Sequence, residues 1–385
     1  MSETLLNKVY SHFQLLYDKD PILVFSPGRI NLIGEHTDYN DGFVFPAAID
    51  KGIALAIKHN DANLCRAHAF DIDENYEFQL KNLSPLINGG WKNYIIGVVA
   101  EILKAGHQLK GFDVIFSGNI PSGAGLSSSA ALENSLVFAL NALFGLGLSK
   151  TEMILISQKA EHNYVGVKCG IMDQYASMFG VKDHALLLDC RTLNSEKFKV
   201  NLKGYEIVLV NSQVKHSLNE SAYNDRRQVC ETISKQLGVK ALRDVSVERL
   251  ETIKHETSFE DYQKALYVIQ ENQRVIEFSE ALQNNDIHQL GRLLFEAHDG
   301  LSNQYKVSCD EIDFLVDFAK NNPNVIGSRM MGGGFGGCTI NLVKKDYVNK
   351  FIEDVKKRYK EAFHKDCKIH RVVLSEGTRL INNTF

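Results

Sequence analysis

The chain has little that would stiffen or cross-link it: six prolines in 385 residues, one tryptophan, and seven dispersed cysteines with no C-x-x-C pair. So few prolines leave no Pro-rich linker. Cys65, Cys169, Cys190, Cys230, Cys309, Cys338 and Cys367 indicate neither a disulfide framework nor a zinc site. The thirteen histidines form no H-E-x-x-H and no helical i, i+4 pair, so a transition-metal site would have to be assembled from distant loops. There is no basic excess either. With 43 basic against 47 acidic side chains the net charge is −4, which removes the electrostatic motive for binding nucleic acid or a membrane surface. No uninterrupted apolar run reaches the roughly 18 residues of a membrane span. The start, Met1-Ser2-Glu3-Thr4, lacks the regions of a signal peptide, and a cytoplasmic protein is expected.

What is present is globular composition, 44% hydrophobic and 23% charged, over a length that suits two domains at roughly 150 residues each. Leu5, Val9, Phe13 and Leu16 mark one face of a helix ending at Asp20-Pro21, and Ile22 to Phe25 reads as a buried strand. Short strands follow at 53–59, 64–68, 76–79 and 112–116, with a helix beyond Trp91, one from Ser128 and one over 151–164. Beyond residue 180 the pattern restarts, with strands at 185–189, 198–202 and 206–211, helices at 221–236, 261–283, 287–297 and 311–320, and a closing strand, helix and strand. The irregular mixture favours two α+β domains over one doubly wound sheet, with a boundary near residue 180.

Four segments carry chemistry. Residues 116–133, F-S-G-N-I-P-S-G-A-G-L-S-S-S-A-A-L-E, take a strand through a Gly- and Ser-rich loop into a helix. Gly123 and Gly125 let backbone N–H groups approach phosphate oxygens, and the helix start favours negative charge. The loop has no lysine, and Ser128 stands where a dinucleotide fingerprint needs its third glycine, so the P-loop and Rossmann motifs both fail. Taken alone, it also suits a glycine turn whose serines cap the helix. Residues 26–40 gather Arg29, Asn31, Glu35, His36 and Asp38 after a buried strand, a polar cluster fit for sugar hydroxyls or simply a solvated loop. In residues 161–174, Glu161 closes one helix and Asp173 opens another. An Asp in a first turn suits a proton acceptor and Glu161 a divalent metal, unless both are ordinary helix-end carboxylates. Residues 330–339 hold five glycines in six positions around Phe335, which permits close backbone approach or a hinge.

In this order the segments resemble the three signature motifs of the GHMP kinases, and the likeness spans the chain. P-S-G-A-G-L-S-S-S-A-A-L-E resembles the family's ATP-phosphate loop and M-G-G-G-F-G-G-C its C-terminal glycine motif, while P-G-R-I-N-L-I-G-E-H-T-D-Y-N resembles the signature of the galactose-phosphorylating branch. The resemblance implies a ribosomal-protein-S5-like N-terminal domain (1–180), a ferredoxin-like C-terminal domain (181–385) whose last strand returns to the first, and an active site in the cleft between them. It implies transfer of the γ-phosphoryl group of ATP to the C1 hydroxyl of α-D-galactose by a cytoplasmic monomer. Asp173 is then the base and Arg29 its charged partner. Glu35, His36, Thr37, Asp38, Gly170 and Tyr223, the last in S-A-Y-N-D-R-R, are the sugar ligands, with Asp38 reading the C3 and C4 hydroxyls. Gly123, Ala124, Gly125, Leu126, Ser127, Ser128 and Ser129 hold the nucleotide, and Ser129 (or Ser128) with Glu161 holds Mg²⁺. Trp91 is expected near adenine. Phosphorylation of N-acetylgalactosamine, or sugar and ATP sensing without efficient turnover, are the alternatives that these motifs leave.

Overall fold

The computed structural model describes residues 2–18, 20–121, 123–214 and 219–382. A six-stranded sheet runs in the order 379–381, 22–31, 46–59, 112–118, 65–69, 74–78. All neighbours are antiparallel except the parallel pair 65–69 and 112–118. The alternation along its strands sorts two layers. Leu23, Phe25, Ala54, Ala56 and Ile115 face Leu6, Val9 and Phe13 of the helix Ser2–Tyr17. Val24, Leu55, Ile57, Val114 and Phe116 face the opposite way, under the helices Trp91–Lys104, Ser128–Phe144, Lys150–Ala160 and Met172–Phe179. The last strand, Arg379–Ile381, pairs with Leu23 to Phe25.

A second, four-stranded antiparallel sheet has the order 325–331, 338–344, 205–211, 368–371. Val208, Val210, Val325 and Val343 lie under the helices Asp310–Lys320 and Val348–Phe363. The other face contributes Leu209, Ile340 and Leu342 to a core shared with Leu290, Leu293 and Leu294 of the helix Ile287–Asn303 and with Ile30, Ile33, Ala47, Ala124 and Leu126 from the first half of the chain. That common core seats one half on the other. A three-stranded sheet (43–44, 184–189, 195–199) flanks it. The α+β architecture is therefore as the irregular pattern predicts.

Three expectations need correction. The strand expected at 198–202 is Ser195–Lys199, set by its pairing with His184 to Leu188. The helix expected over 151–164 is α-helical only for Lys150–Ala160, and Glu161–Val165 widens into a π turn, a distortion frequent at functional sites. The glycine run is no hinge between domains. It connects two strands, Val325–Met331 and Cys338–Lys344, that pair from Met331↔Cys338 onward. Only the second strand is apolar enough to be noticed, because Ser328 and Arg329 interrupt the first, which is equally long.

Arg329 is fully buried. Its guanidinium meets Glu35 Oε1 at 3.0 Å, Leu32 O at 2.8 Å, Met330 O at 2.6 Å and also Asn31 O. Glu35 Oε1 accepts a further bond from Gly332 N at 2.9 Å, so the pair ties the glycine hairpin to residues 31–35. Removing one partner of a buried, hydrogen-bonded pair strands the other charge, at about 3–5 kcal/mol. Arg329→Met should lower unfolding stability by that order, read as a reduced urea midpoint at unchanged m-value.

Candidate active site

The strand Ile22–Asn31 shifts register between Pro27 and Arg29, and a bulge of this kind re-aims a side chain. Here it turns Arg29 toward the helix Met172–Phe179. Arg29 grips Asp173 with two parallel bonds, Nε to Oδ1 and Nη2 to Oδ2, both 2.8 Å. Its Nη1 donates to Gly125 O at 2.5 Å and its backbone N to Leu126 O at 3.1 Å. The loop passes so close over Gly28 that a Cβ there would overlap Leu126 O. Asp173 lies in the first turn of its helix and keeps 27% of its side-chain surface open. Ser127 donates to Asp173 Oδ2 at 2.6 Å. That bond explains why Ser127, at the N-cap of Ser128–Phe144 with φ 59°, makes no side-chain cap. Its role as anchor of the carboxylate was not legible in the sequence, where it read as one more loop serine.

The loop itself alternates. Ala124 and Leu126 are buried in the shared core, whereas Gly123, Gly125 and Ser128 are open. The surface it offers is backbone, at the positive end of a helix. Ser129 hydrogen-bonds Glu161, which the π turn places beside Glu133 and Gln174. Burial and then the charge of Asp173 push Glu161 up to about 7; burial and then Glu161 raise Glu133 well above the carboxylate range. Glu133 Oε1 is buried without a partner.

Arg29, Glu35, His36, Asp38, Glu161, Asp173 and Tyr223 line one cavity of about 130 Å³. Burial first, then the charge of Asp173, raises Asp38 to about 7. Gly170 backs Asp38 so tightly that a Cβ would overlap its carboxylate. Of the expected sugar ligands, two do not line the cavity: Gly170 and, more plainly, Thr37. Its hydroxyl is committed to Gly34 O and Phe43 O, at 2.9 and 2.6 Å, and holds the turn together instead of facing the cavity. Val167, Tyr223 and Gly333 also line a second cavity of about 270 Å³ beneath Gly123, Gly125 and the glycine hairpin. Glycine is required there: side chains at 334 and 336 would meet the carbonyls of Val307 and Val214. Trp91 packs on Phe116, where the strand leads toward the Gly- and Ser-rich loop, and on Tyr76, with its indole donating to Glu74 at 2.9 Å. It is not among the residues lining either cavity.

The comparisons with known proteins agree. Residues 93–181 match the GHMP kinases N terminal domain, 278–361 the GHMP kinases C terminal model, and 11–59 the galactokinase galactose-binding signature. A galactokinase of Thermotoga petrophila is 43% identical over 93% of this chain and 99% of its own, and one of Clostridium acetobutylicum 40% over 93% and 94%. The crystal structure of Lactococcus lactis galactokinase complexed with galactose superposes with a TM-score of 0.93 at 32% identity, covering 98% of this chain and all of that one. Methanococcus jannaschii mevalonate kinase shares the fold, with a TM-score of 0.68 at 17% identity over 93% and 99% of the two chains. A fold and site of this kind define a GHMP kinase, which implies ATP as a substrate. Within that family the chain belongs to the galactokinases.

Among the described residues, losing the Ser127 hydroxyl leaves Arg29 as the side chain that hydrogen-bonds Asp173. Ser127→Ala is expected to lower kcat roughly tenfold or more, the scale of a lost hydrogen bond to a charged group, with sugar KM little changed in steady-state assays.

Proposed function

We propose that the chain transfers the γ-phosphoryl group of MgATP to the C1 hydroxyl of α-D-galactose, yielding galactose 1-phosphate and ADP. The observation that carries this reading is the single cavity in which hydroxyl-reading groups, Glu35, His36, Asp38 and Tyr223, open onto the Arg29–Asp173 pair. The kinship with galactokinases supports the same substrate.

Asp173 accepts the proton of the C1 hydroxyl as the oxygen attacks phosphorus. Arg29 and Ser127 hold both carboxylate oxygens, so the base is oriented before substrate arrives. The guanidinium also offers positive charge toward the transferring group. The backbone of Gly123 to Ser129 cradles the phosphates.

The residues present fit Mg²⁺. The Ser129 hydroxyl and the Glu161 carboxylate are hard oxygen donors, and the buried Glu133 and Glu161 carboxyls crowd each other in a way that a cation relieves. Bound there with nucleotide, the metal neutralises charge on the terminal phosphates. The described residues contain no group of three or more His, Cys, Asp or Glu that could hold a metal alone, which suits an ion that arrives with its nucleotide. No described helix is long and apolar enough to cross a membrane.

The decisive assay is ADP release with MgATP across galactose, N-acetylgalactosamine, glucose, mevalonate and homoserine. Turnover on galactose is expected. Preference for N-acetylgalactosamine would overturn the specificity, and binding without turnover would favour a sensor. Asp173→Ala should abolish turnover while galactose binding stays measurable; near-normal turnover would remove Asp173 from its role as base.

The titration of Asp38 gives a sign. Its folded value near 7 lies above that of an exposed carboxyl, so below about pH 7 the free protein carries a protonated Asp38 that accepts sugar hydroxyls poorly. Galactose affinity without nucleotide should therefore weaken as pH falls from 8 to 6, by up to roughly tenfold per unit below that value. Calorimetry on the protein and on Asp38→Asn checks it, since the variant should lose the dependence.

A further inference from the structure

His36 is held in an unusual state. It is a non-glycine residue at φ 65°, buried to 4% exposure, and it lines the small cavity with Asp38 and Tyr223. Its two ring nitrogens are treated differently. Nδ1 lies 2.8 Å from the Tyr39 hydroxyl, which lies 2.7 Å from the Tyr305 hydroxyl, which lies 3.4 Å from Cys230 Sγ. Nε2 is buried and has no hydrogen-bond partner. Leaving a buried polar atom unpaired costs about 1–3 kcal/mol, a cost that a ligand can relieve.

The chain from Cys230 to His36 contains only neutral groups. Burial, then the charge of Arg226, pushes the imidazole down to about 3, and burial raises both phenols well above their ordinary value. Each hydroxyl donates once, so the chain runs in one of two directions. If His36 Nδ1–H donated to Tyr39, the series would end with Tyr305 donating to a thiol sulfur, a weak acceptor. In the other direction the chain ends on a phenol O–H donating to an imidazole nitrogen, which is a strong bond.

We propose that Tyr39, itself oriented by Tyr305, donates to His36 Nδ1 and thereby fixes the Nε2–H tautomer, so that the cavity presents one N–H donor opposite the Asp38 acceptor. Tyr39 and Tyr305 are positioning residues that set sugar affinity without touching the transferred phosphoryl group. This rests on the sugar-binding reading of the cavity. A hydroxyl or ring oxygen placed at His36 must accept, whereas one placed at Asp38 must donate. A binding pose that reverses those roles leaves two buried groups unpaired.

The experiment uses the full chain labelled with ¹⁵N-histidine. Long-range ¹H–¹⁵N correlations report the tautomer, and His36 is assigned by the signal lost in His36→Gln. The expected pattern is neutral Nε2–H in the sugar-free protein, and a neutral Nδ1–H pattern would overturn the proposal. In Tyr39→Phe the pattern should turn into a tautomer mixture, and galactose KM should rise roughly tenfold with kcat within about threefold, the scale of one hydrogen bond. Tyr305→Phe should move both readouts the same way by less. Unchanged tautomer and KM in Tyr39→Phe would sink the idea, and a fall in kcat alone would too. Should Tyr39→Phe fail to fold, the wild-type tautomer and Tyr305→Phe decide. The tautomer is read without sugar, so its failure is distinguishable from failure of wild-type turnover on galactose.

Discussion

The site depends on Arg329 and Glu35 meeting where no water reaches. Arg329 projects from a strand of the second sheet, yet three of its four partners, Leu32 O, Asn31 O and Glu35 Oε1, belong to the segment leaving the first strand of the other sheet. A buried guanidinium tolerates neither water nor an unpaired N–H, so the two segments must be in register for the chain to fold. That register places Gly332 N on Glu35 and brings the glycine hairpin beside the phosphate loop, with Gly332 packed on Gly125. A structural ion pair thus fixes the spacing between the cavity lined by Arg29, Asp38 and Asp173 and the one beneath the glycine hairpin.

Around that frame the cavity concentrates acid. Asp38, Glu161 and Asp173 share its walls, and Glu133 lies behind them. Among the described residues, Asp173 is paired with Arg29, and Glu35, on the same walls, with Arg329. The others sit where burial and mutual repulsion disfavour their anions. An acid-rich, preorganised pocket is poorly matched to itself and well matched to hydroxyl donors and a divalent cation, which is the complementarity a sugar kinase needs. Of the fifteen described non-glycine residues in the left-handed region, three, His36, Ser127 and Phe335, belong to the motif segments.

Much of this was legible in the sequence because the motifs are local. The strand, loop and helix of 112–144 are contiguous, and their glycine and serine spacing suggests a phosphate cradle once the other motifs stand beside it. Arg29, Glu35, His36 and Asp38 fall within one short segment, so their convergence needed no fold. What could not be read was set by contacts distant in the chain. Ser127 is committed to Asp173 by a helix 46 residues away. Thr37 looks like its polar neighbours, but the carbonyls of Gly34 and Phe43 turn its hydroxyl inward. The π turn at Glu161 leaves no signature in a helical periodicity that it interrupts at its end. Nor does the sequence show that Trp91, at the start of its helix, packs on Phe116 of the strand that leads into the loop.

The tyrosines illustrate the same limit at finer scale. Tyr39 stands within the signature segment, two residues past Thr37, and reads as an ordinary aromatic. Tyr305 lies 266 residues further on, at the end of the helix Ile287–Asn303. The fold joins them because both rings complete the helical core that also holds Tyr267, whose hydroxyl donates to Glu35 O at 3.0 Å. A hydrophobic cluster thereby ends in three phenols, of which Tyr267 meets the Glu35 carbonyl, Tyr39 the His36 ring, and Tyr305 the Tyr39 hydroxyl and Cys230 Sγ. Packing and polar order are the same contact here: the rings supply buried area to the helices, and their hydroxyls, unable to reach water, are satisfied by residues 35 and 36, by one another and by Cys230.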